Sequence, residues 1–249
     1  MFLKNVFSVF LMLLVLYSCG NEEKADKSND KEMLIMGVSA DYPPFEFIKS
    51  KKVVGFDIDL ANQIAKKLGV KLYIKEMNWD SLIPALHSGR VDFVMSAMSK
   101  TSDRAKNVDF SIPYYAPSLA ILYKKSAPIK DVSLFDNKEI AVQLGSTMES
   151  FIRKQSKKYK IDIISLTRVP TMVQELKLGR VDAVLIEEAQ AKEFVLRDQN
   201  LDYSLASDND GEYSVAFPKN SDLKSRFDEA LVAIRDSGEL DKIKSKWLS

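Results

Sequence analysis

Two periods of apolar and polar positions alternate along the chain. Short apolar runs bounded by turn residues read as buried strands at 34–39, 71–75, 93–95, 119–123, 139–143, 162–166, 183–185 and 213–217. Between them the spacing turns helical. Ile58, Ala61, Ile64, Ala65 and Leu68 share one face of a helix that Gly69 stops. Further helices are expected at 79–86, where Pro84 sits mid-segment, and at 148–157, 171–177, 189–197, 223–236 and 240–247. This β-α-β-α-β order predicts an α/β fold: a parallel sheet with helices on both faces.

One segment occurs twice. Ser-Gly-Arg-Val-Asp-Phe-Val-Met-Ser-Ala ends at Ala97, and Leu-Gly-Arg-Val-Asp-Ala-Val-Leu-Ile-Glu ends at Glu187. In each copy a glycine, Gly89 or Gly179, is placed to end a helix in the left-handed region before a buried strand begins. The copies lie too far apart for a solenoid period, so they predict two similar α/β lobes. Open α/β sheets bind ligands at the carboxyl ends of their strands. A cleft is therefore expected where Ser96-Ala97-Met98-Ser99 and Ile186-Glu187-Glu188 emerge. The final strand and its two helices cannot form a domain alone and are expected to complete the first lobe. That arrangement requires two connections, near Lys124 and near Asp208, which is the geometry of a hinge. The expected boundaries are 33–122 with 212–249 for lobe 1 and 123–211 for lobe 2, with hinge segments near 120–125 and 206–212.

The ends of the chain bear on its location. Lys4 precedes a short apolar run from Val6 to Leu16 that closes on Leu16-Tyr17-Ser18-Cys19-Gly20. This is too brief for a membrane span of about 20 residues and reads as a signal peptide over 1–18. Cys19 is the only cysteine among 249 residues, so no intramolecular disulfide can form. Residues 21–31 are almost wholly polar and charged, and 19–32 is read as a flexible tether. Charge is balanced, with 36 Lys and Arg against 35 Asp and Glu, and no basic stripe points to nucleic acid. His87 is the single histidine. With Cys19 at the anchor, neither a His/Cys metal cluster nor a Ser-His-Asp triad can be assembled, and no cofactor is expected.

Taken together in this order, several short segments resemble the bacterial extracellular solute-binding proteins of family 3, the polar amino-acid receptors of ATP-binding-cassette importers. They include Tyr42-Pro43-Pro44-Phe45-Glu46, Gly55-Phe56-Asp57-Ile58-Asp59-Leu60-Ala61, Met98-Ser99-Lys100-Thr101-Ser102-Asp103-Arg104, Gln143-Leu144-Gly145-Ser146-Thr147 and Gly238-Glu239-Leu240-Asp241-Lys242-Ile243 with Trp247. The resemblance spans 33–248. It implies a two-lobed periplasmic-binding-protein fold of type II, a monomer without catalytic activity, and a permease as partner. The Cys19 segment resembles a lipoprotein signal, which implies acylation at Cys19, anchorage to a membrane and a cell-envelope location; the alternative is a plain secretion signal with an incidental cysteine.

The same resemblance assigns a ligand site. Arg104 would grip an amino acid's carboxylate through its planar two-pronged donor set, with Ser99 and Thr101 nearby. Gly145-Ser146-Thr147 opens a helix whose free amides favour the same carboxylate, and either hydroxyl is also a plausible cap. Glu187 would bind the ammonium, with Ser99 Oγ and the Ala97 carbonyl; the family usually carries Asp there. Met98 belongs to the same wall. The ligand's side chain would lie between Tyr42 and Phe56, with Glu46 and Gln143 at the far end, which suits arginine or another basic amino acid. Trp79 is read as core. An enzymatic alternative is a prephenate-type dehydratase on the same scaffold, with Glu187 as general acid.

Overall fold

The computed structural model describes residues 32–207 and 211–248. The expected signal peptide and Cys19, most of the tether, and Asp208–Asp210 lie outside them. Glu32, expected as the last tether residue, belongs to the folded body: its carbonyl accepts from Lys71 N at 2.7 Å and its carboxylate pairs with Arg226 at 2.9 Å.

In chain order the first part comprises β1 (Met33–Val38), β2 (Asp41–Tyr42), β3 (Glu46–Lys49), β4 (Lys52–Val54), α1 (Phe56–Leu68) and β5 (Lys71–Glu76). A 3₁₀ turn (Trp79–Ser81) runs into α2 (Leu82–His87), followed by β6 (Phe93–Val94), α3 (Ser102–Ala105) and β7 (Asp109–Phe110). The middle holds β8 (Leu119–Lys124), β9 (Lys138–Gln143), α4 (Thr147–Gln155), β10 (Ile161–Leu166), α5 (Val169–Leu178), β11 (Ala183–Glu187), α6 (Glu188–Arg197) and β12 (Leu201–Ser207). The chain closes with β13 (Ala216–Phe217), α7 (Leu223–Asp236) and α8 (Glu239–Trp247).

Two five-stranded sheets carry the architecture, in the orders β5-β1-β6-β13-β7 and β10-β9-β11-β8-β12; a small β2-β3-β4 sheet stands beside them. Neither large sheet is purely parallel, contrary to expectation. β1, β5 and β6 run parallel, as do β9, β10 and β11, but β13 is antiparallel to its neighbours and β8 is antiparallel to both β11 and β12. The parallel strands are joined through helices, as parallel pairing requires. The exceptions are strands that enter a sheet directly from the other lobe with no helix between. β8 pairs along its whole length within the second sheet, so the lobe boundary read after residue 122 falls inside a second-sheet strand. The first crossing lies before Leu119.

The two crossings are tied together. Tyr213 N donates to the Tyr115 carbonyl at 2.8 Å and Tyr114 N to the Tyr213 carbonyl at 3.0 Å. Around them Phe45, Phe56, Tyr114, Tyr115 and Tyr213 form one aromatic cluster, with ring centroids 5.1–6.3 Å apart. Phe45, Phe56, Tyr114 and Tyr213 of this group belong to a buried cluster that contains residues of both sheets. β13 and α7 return to the first sheet, where Phe227 packs on Phe93 and Phe217.

The repeated segment performs the same task in both sheets. Gly89 (φ 65°) and Gly179 (φ 73°) end α2 and α5 in the left-handed region. The aspartate that follows clamps the adjacent strand twice. Asp92 N donates to the Ile35 carbonyl at 2.8 Å while its Oδ2 accepts from Ile35 N at 2.7 Å; Asp182 makes the matching pair with Glu139 at 2.8 and 3.0 Å. These aspartates fix where β6 and β11 join their sheets, and thereby where both strands end.

Candidate functional site

The strand ends converge on a narrow cavity of about 10 Å³ between the two sheets. Beyond β6 the chain turns sharply. Ala97 takes a left-handed conformation (φ 48°) that a side chain disfavours, and its N–H donates to Asp57 Oδ2 at 2.7 Å. That turn presents Ser96, Ala97 and Ser99 to the cavity, with Tyr42 and Trp79 beside them. Thr101 caps α3 by accepting from Arg104 N at 3.2 Å. The Arg104 guanidinium then reaches back: Nη1 donates to the Ser99 carbonyl at 2.8 Å, and its carbon lies 5.1 Å from the Trp79 ring centroid.

The opposite wall comes from the second sheet. Gln143 ends β9, and Gly145 (φ 74°) turns the chain into α4. Ser146 is the helix cap, accepting from Glu149 N at 3.1 Å, and Glu149 Oε2 reciprocates by accepting from Gly145 N at 2.7 Å. Burial works to raise the Glu149 pKa, yet donors from Gly145 N, Arg153 and Ser165 hold it below the ordinary value. Thr147 and Met148 line the cavity from the first turn of α4. Glu187 ends β11, only 3% exposed, with its carboxylate against the buried Tyr213 phenol. Burial, then the Glu187 charge, pushes that phenol well above its ordinary pKa.

Two arginines reach across the cleft. Arg104 Nη2 donates to the Gly145 carbonyl at 3.1 Å. Arg168, just before α5, reaches Asp41 at 3.3 Å, Glu76 at 3.7 Å and Asn78 Oδ1 at 3.5 Å. Asp41 is nearly buried. Desolvation raises its pKa, an effect that the Arg168 charge and the Ser39 hydroxyl oppose.

Of the residues expected at the site, Tyr42, Ala97, Ser99, Arg104, Gln143, Ser146, Thr147 and Glu187 meet around the cavity. Phe56, Met98 and Glu46 do not line it. Phe56 starts the buried face of α1 and packs on Phe45 and Tyr114. Met98 points into a separate apolar cluster with Leu82, Leu86, Val94 and Phe110. Glu46 lies behind the wall, accepting from Ser96 Oγ at 2.9 Å. Trp79, expected as core, is the second aromatic of the cavity. Ser96 lines the cavity at the strand end where the cleft was expected, though without an assigned ligand role; Met148 and the cleft-spanning Asp41–Arg168 pair were missed. Trp79 follows the carboxyl end of β5, and that position was the available signal.

A two-lobed α/β protein with a polar and aromatic cavity between its strand ends is a solute-binding architecture. Residues 34–249 match the model of the bacterial extracellular solute-binding proteins, family 3, and the chain belongs to that family. It is 38% identical over 250 residues to the arginine-binding extracellular protein ArtP of Bacillus subtilis (strain 168), covering 96% of this chain and 98% of that protein. It is 30% identical over 235 residues to the L-cystine-binding protein TcyJ of Escherichia coli (strain K12), covering 92% and 88%. The structure of an ancestral arginine-binding protein bound to arginine superposes with a TM-score of 0.84 at 39% identity, covering 88% of this chain and all (100%) of that one.

Proposed function

We propose that this protein is the substrate-binding lipoprotein of an ABC amino-acid importer and captures arginine or another basic amino acid by closure of its lobes. The observation that carries the reading is the pairing of opposite charges in one cavity. Arg104 offers a fork for a carboxylate, and Glu187 offers an acceptor for an ammonium. Tyr42 and Trp79 supply aromatic surface for a flat or cationic side chain. Ser146 and Thr147 add the start of α4, where unsatisfied amides favour the same carboxylate. The names of the relatives support the ligand class, since ArtP and the ancestral protein are both described by arginine. The dehydratase alternative gains nothing from them, because the relatives reported above are binding proteins. In the same reading Cys19 is acylated after removal of residues 1–18, and the polar tether holds the body at the membrane beside its permease.

A thermal-shift screen of the common amino acids tests the ligand. A micromolar ligand at millimolar concentration stabilises by about 4 kcal/mol, so the correct amino acid raises the melting temperature by several degrees. No response to arginine, lysine, ornithine or histidine overturns the basic-ligand reading.

A further inference from the structure

Directly behind the cavity wall lie two carboxyl groups withdrawn from solvent, Glu46 at 1% and Asp57 at 0% exposure. They face each other closely enough for each to shift the other's pKa. Each also holds part of the wall. Glu46 Oε1 accepts from Ser96 Oγ at 2.9 Å, and Ser96 Oγ in turn accepts from Ser39 N at 3.0 Å. Asp57 Oδ2 accepts from Ala97 N at 2.7 Å and from the Tyr114 hydroxyl at 2.9 Å. Glu46 Oε2 and Asp57 Oδ1 receive no N–H or O–H from the described residues.

An ionised carboxylate has only acceptors, so the two undonated oxygens of this pair, Glu46 Oε2 and Asp57 Oδ1, are satisfied only if a proton lies between them. Nor do the described residues that act on the pair include a compensating cation. The groups facing the pair are Asp41 from β2 and Tyr114 and Tyr213 from the crossings, all acidic or neutral. Arg168 is engaged with Asp41, Glu76 and Asn78. Two buried charges without a counter-ion are far costlier than one retained proton.

We propose that Glu46 and Asp57 share one proton, with Glu46 as donor, and that this protonated pair is the positioning unit for the Ser96-Ala97 wall of the ligand cavity. Asp57, relieved of repulsion, keeps the charge that holds Ala97 in its left-handed turn. That turn aims the Ala97 carbonyl and Ser99 at the ligand. Burial, first of all, shifts both groups upward, Glu46 well above its ordinary value and Asp57 to about 7. The proposal rests on the functional reading above only for the choice of ligand used as probe.

Infrared spectra of the ligand-free protein at neutral pH test the proton itself. A carboxylic-acid C=O band that shifts in D2O is expected in the wild type and missing in Glu46→Gln. Calorimetric titration with L-arginine tests the positioning role. Glu46→Ala should weaken binding about tenfold or more, the equivalent of one buried hydrogen bond. Glu46→Gln, whose amide can still donate to Asp57 and accept from Ser96, should restore it to within about threefold. The proposal is overturned if the wild type has no acid band that the Gln variant removes, or if the Gln variant binds no better than wild type divided by ten. Both outcomes can be read whether or not the Ala variant folds. Wild-type protein that shows the band but ignores arginine refutes the ligand reading and leaves the pair intact.

Discussion

Replacing Arg104 by alanine removes the group assigned to the carboxylate, which every α-amino acid carries. In the structure its guanidinium bridges the Ser99 carbonyl, the Gly145 carbonyl across the cleft, and the Trp79 face. A bound carboxylate would be met by the same fork. Two charge-assisted hydrogen bonds contribute about 1.5–3 kcal/mol each, or about 3–6 kcal/mol together. Arg104 is only half-buried, so solvent screening places the loss near the lower end, about a hundredfold in Kd. Isothermal calorimetry with several amino acids measures it. Because the carboxylate is common to all, the loss should be uniform across ligands with different side chains. Arg104→Lys should recover only part of it, since an ammonium cannot make a parallel pair of bonds. Unchanged binding, or a loss confined to one side-chain type, would refute the carboxylate assignment.

Three other outcomes are expected. Gly55 has φ 140°, and a Cβ there would lie 2.1 Å from the Phe45 carbonyl oxygen; Gly55→Ala should therefore cost about 3 kcal/mol or more in denaturant melts, and a wild-type midpoint would contradict this. Glu46 and Asp57 have raised pKa values in the folded state, so the native protein keeps protons that the unfolded chain has released. Their contribution makes stability fall as pH rises from the unfolded carboxylate range toward 7 and beyond, by at most about 1.4 kcal/mol per pH unit for one retained proton. Carboxylates held low, such as Asp109 and Glu149, act in the opposite sense but only at more acidic pH. Melting temperatures between pH 5 and 8 should decline in the wild type and flatten in Glu46→Gln; a flat wild-type profile would exclude the retained proton. Finally, Cys19→Ser should abolish incorporation of labelled palmitate and release the protein from the membrane fraction, and labelling that persists in this variant would remove the anchor from Cys19.

Much of this organisation is legible in residue order because strong local signals coincide with the global fold. The repeated glycine, arginine, valine and aspartate locate two strand ends, and their geometry proves the same at Asp92 and Asp182. Helix faces such as that of α1 follow from spacing, and Gly69 ends it at φ 71°. Strand direction was less accessible. Nothing local in Leu119–Lys124 says that it enters the second sheet from the side, antiparallel to β11. The aromatic partner of Tyr42 was misread for a related reason. Phe56 and Trp79 are both large and apolar, and only the path of the chain decides that one heads a buried helix while the other stands at the end of β5. Glu46 was placed in the cavity by the family resemblance. Its actual partner, Asp57, comes from a different element, and their meeting is a tertiary event.

The tied crossings govern how such a molecule can move. Tyr114, Tyr115 and Tyr213 link the two segments by main-chain bonds and bury them among rings of Phe45 and Phe56. Slack straps would let the lobes twist and slide in several directions. An axle of packed rings resists shear and leaves rotation about one axis as the soft coordinate. Contacts at the mouth, Arg104 on Gly145 and Arg168 on Asp41, would bear on that rotation. The bearing abuts the chemistry it serves, Tyr213 against the Glu187 carboxylate and Tyr114 on Asp57.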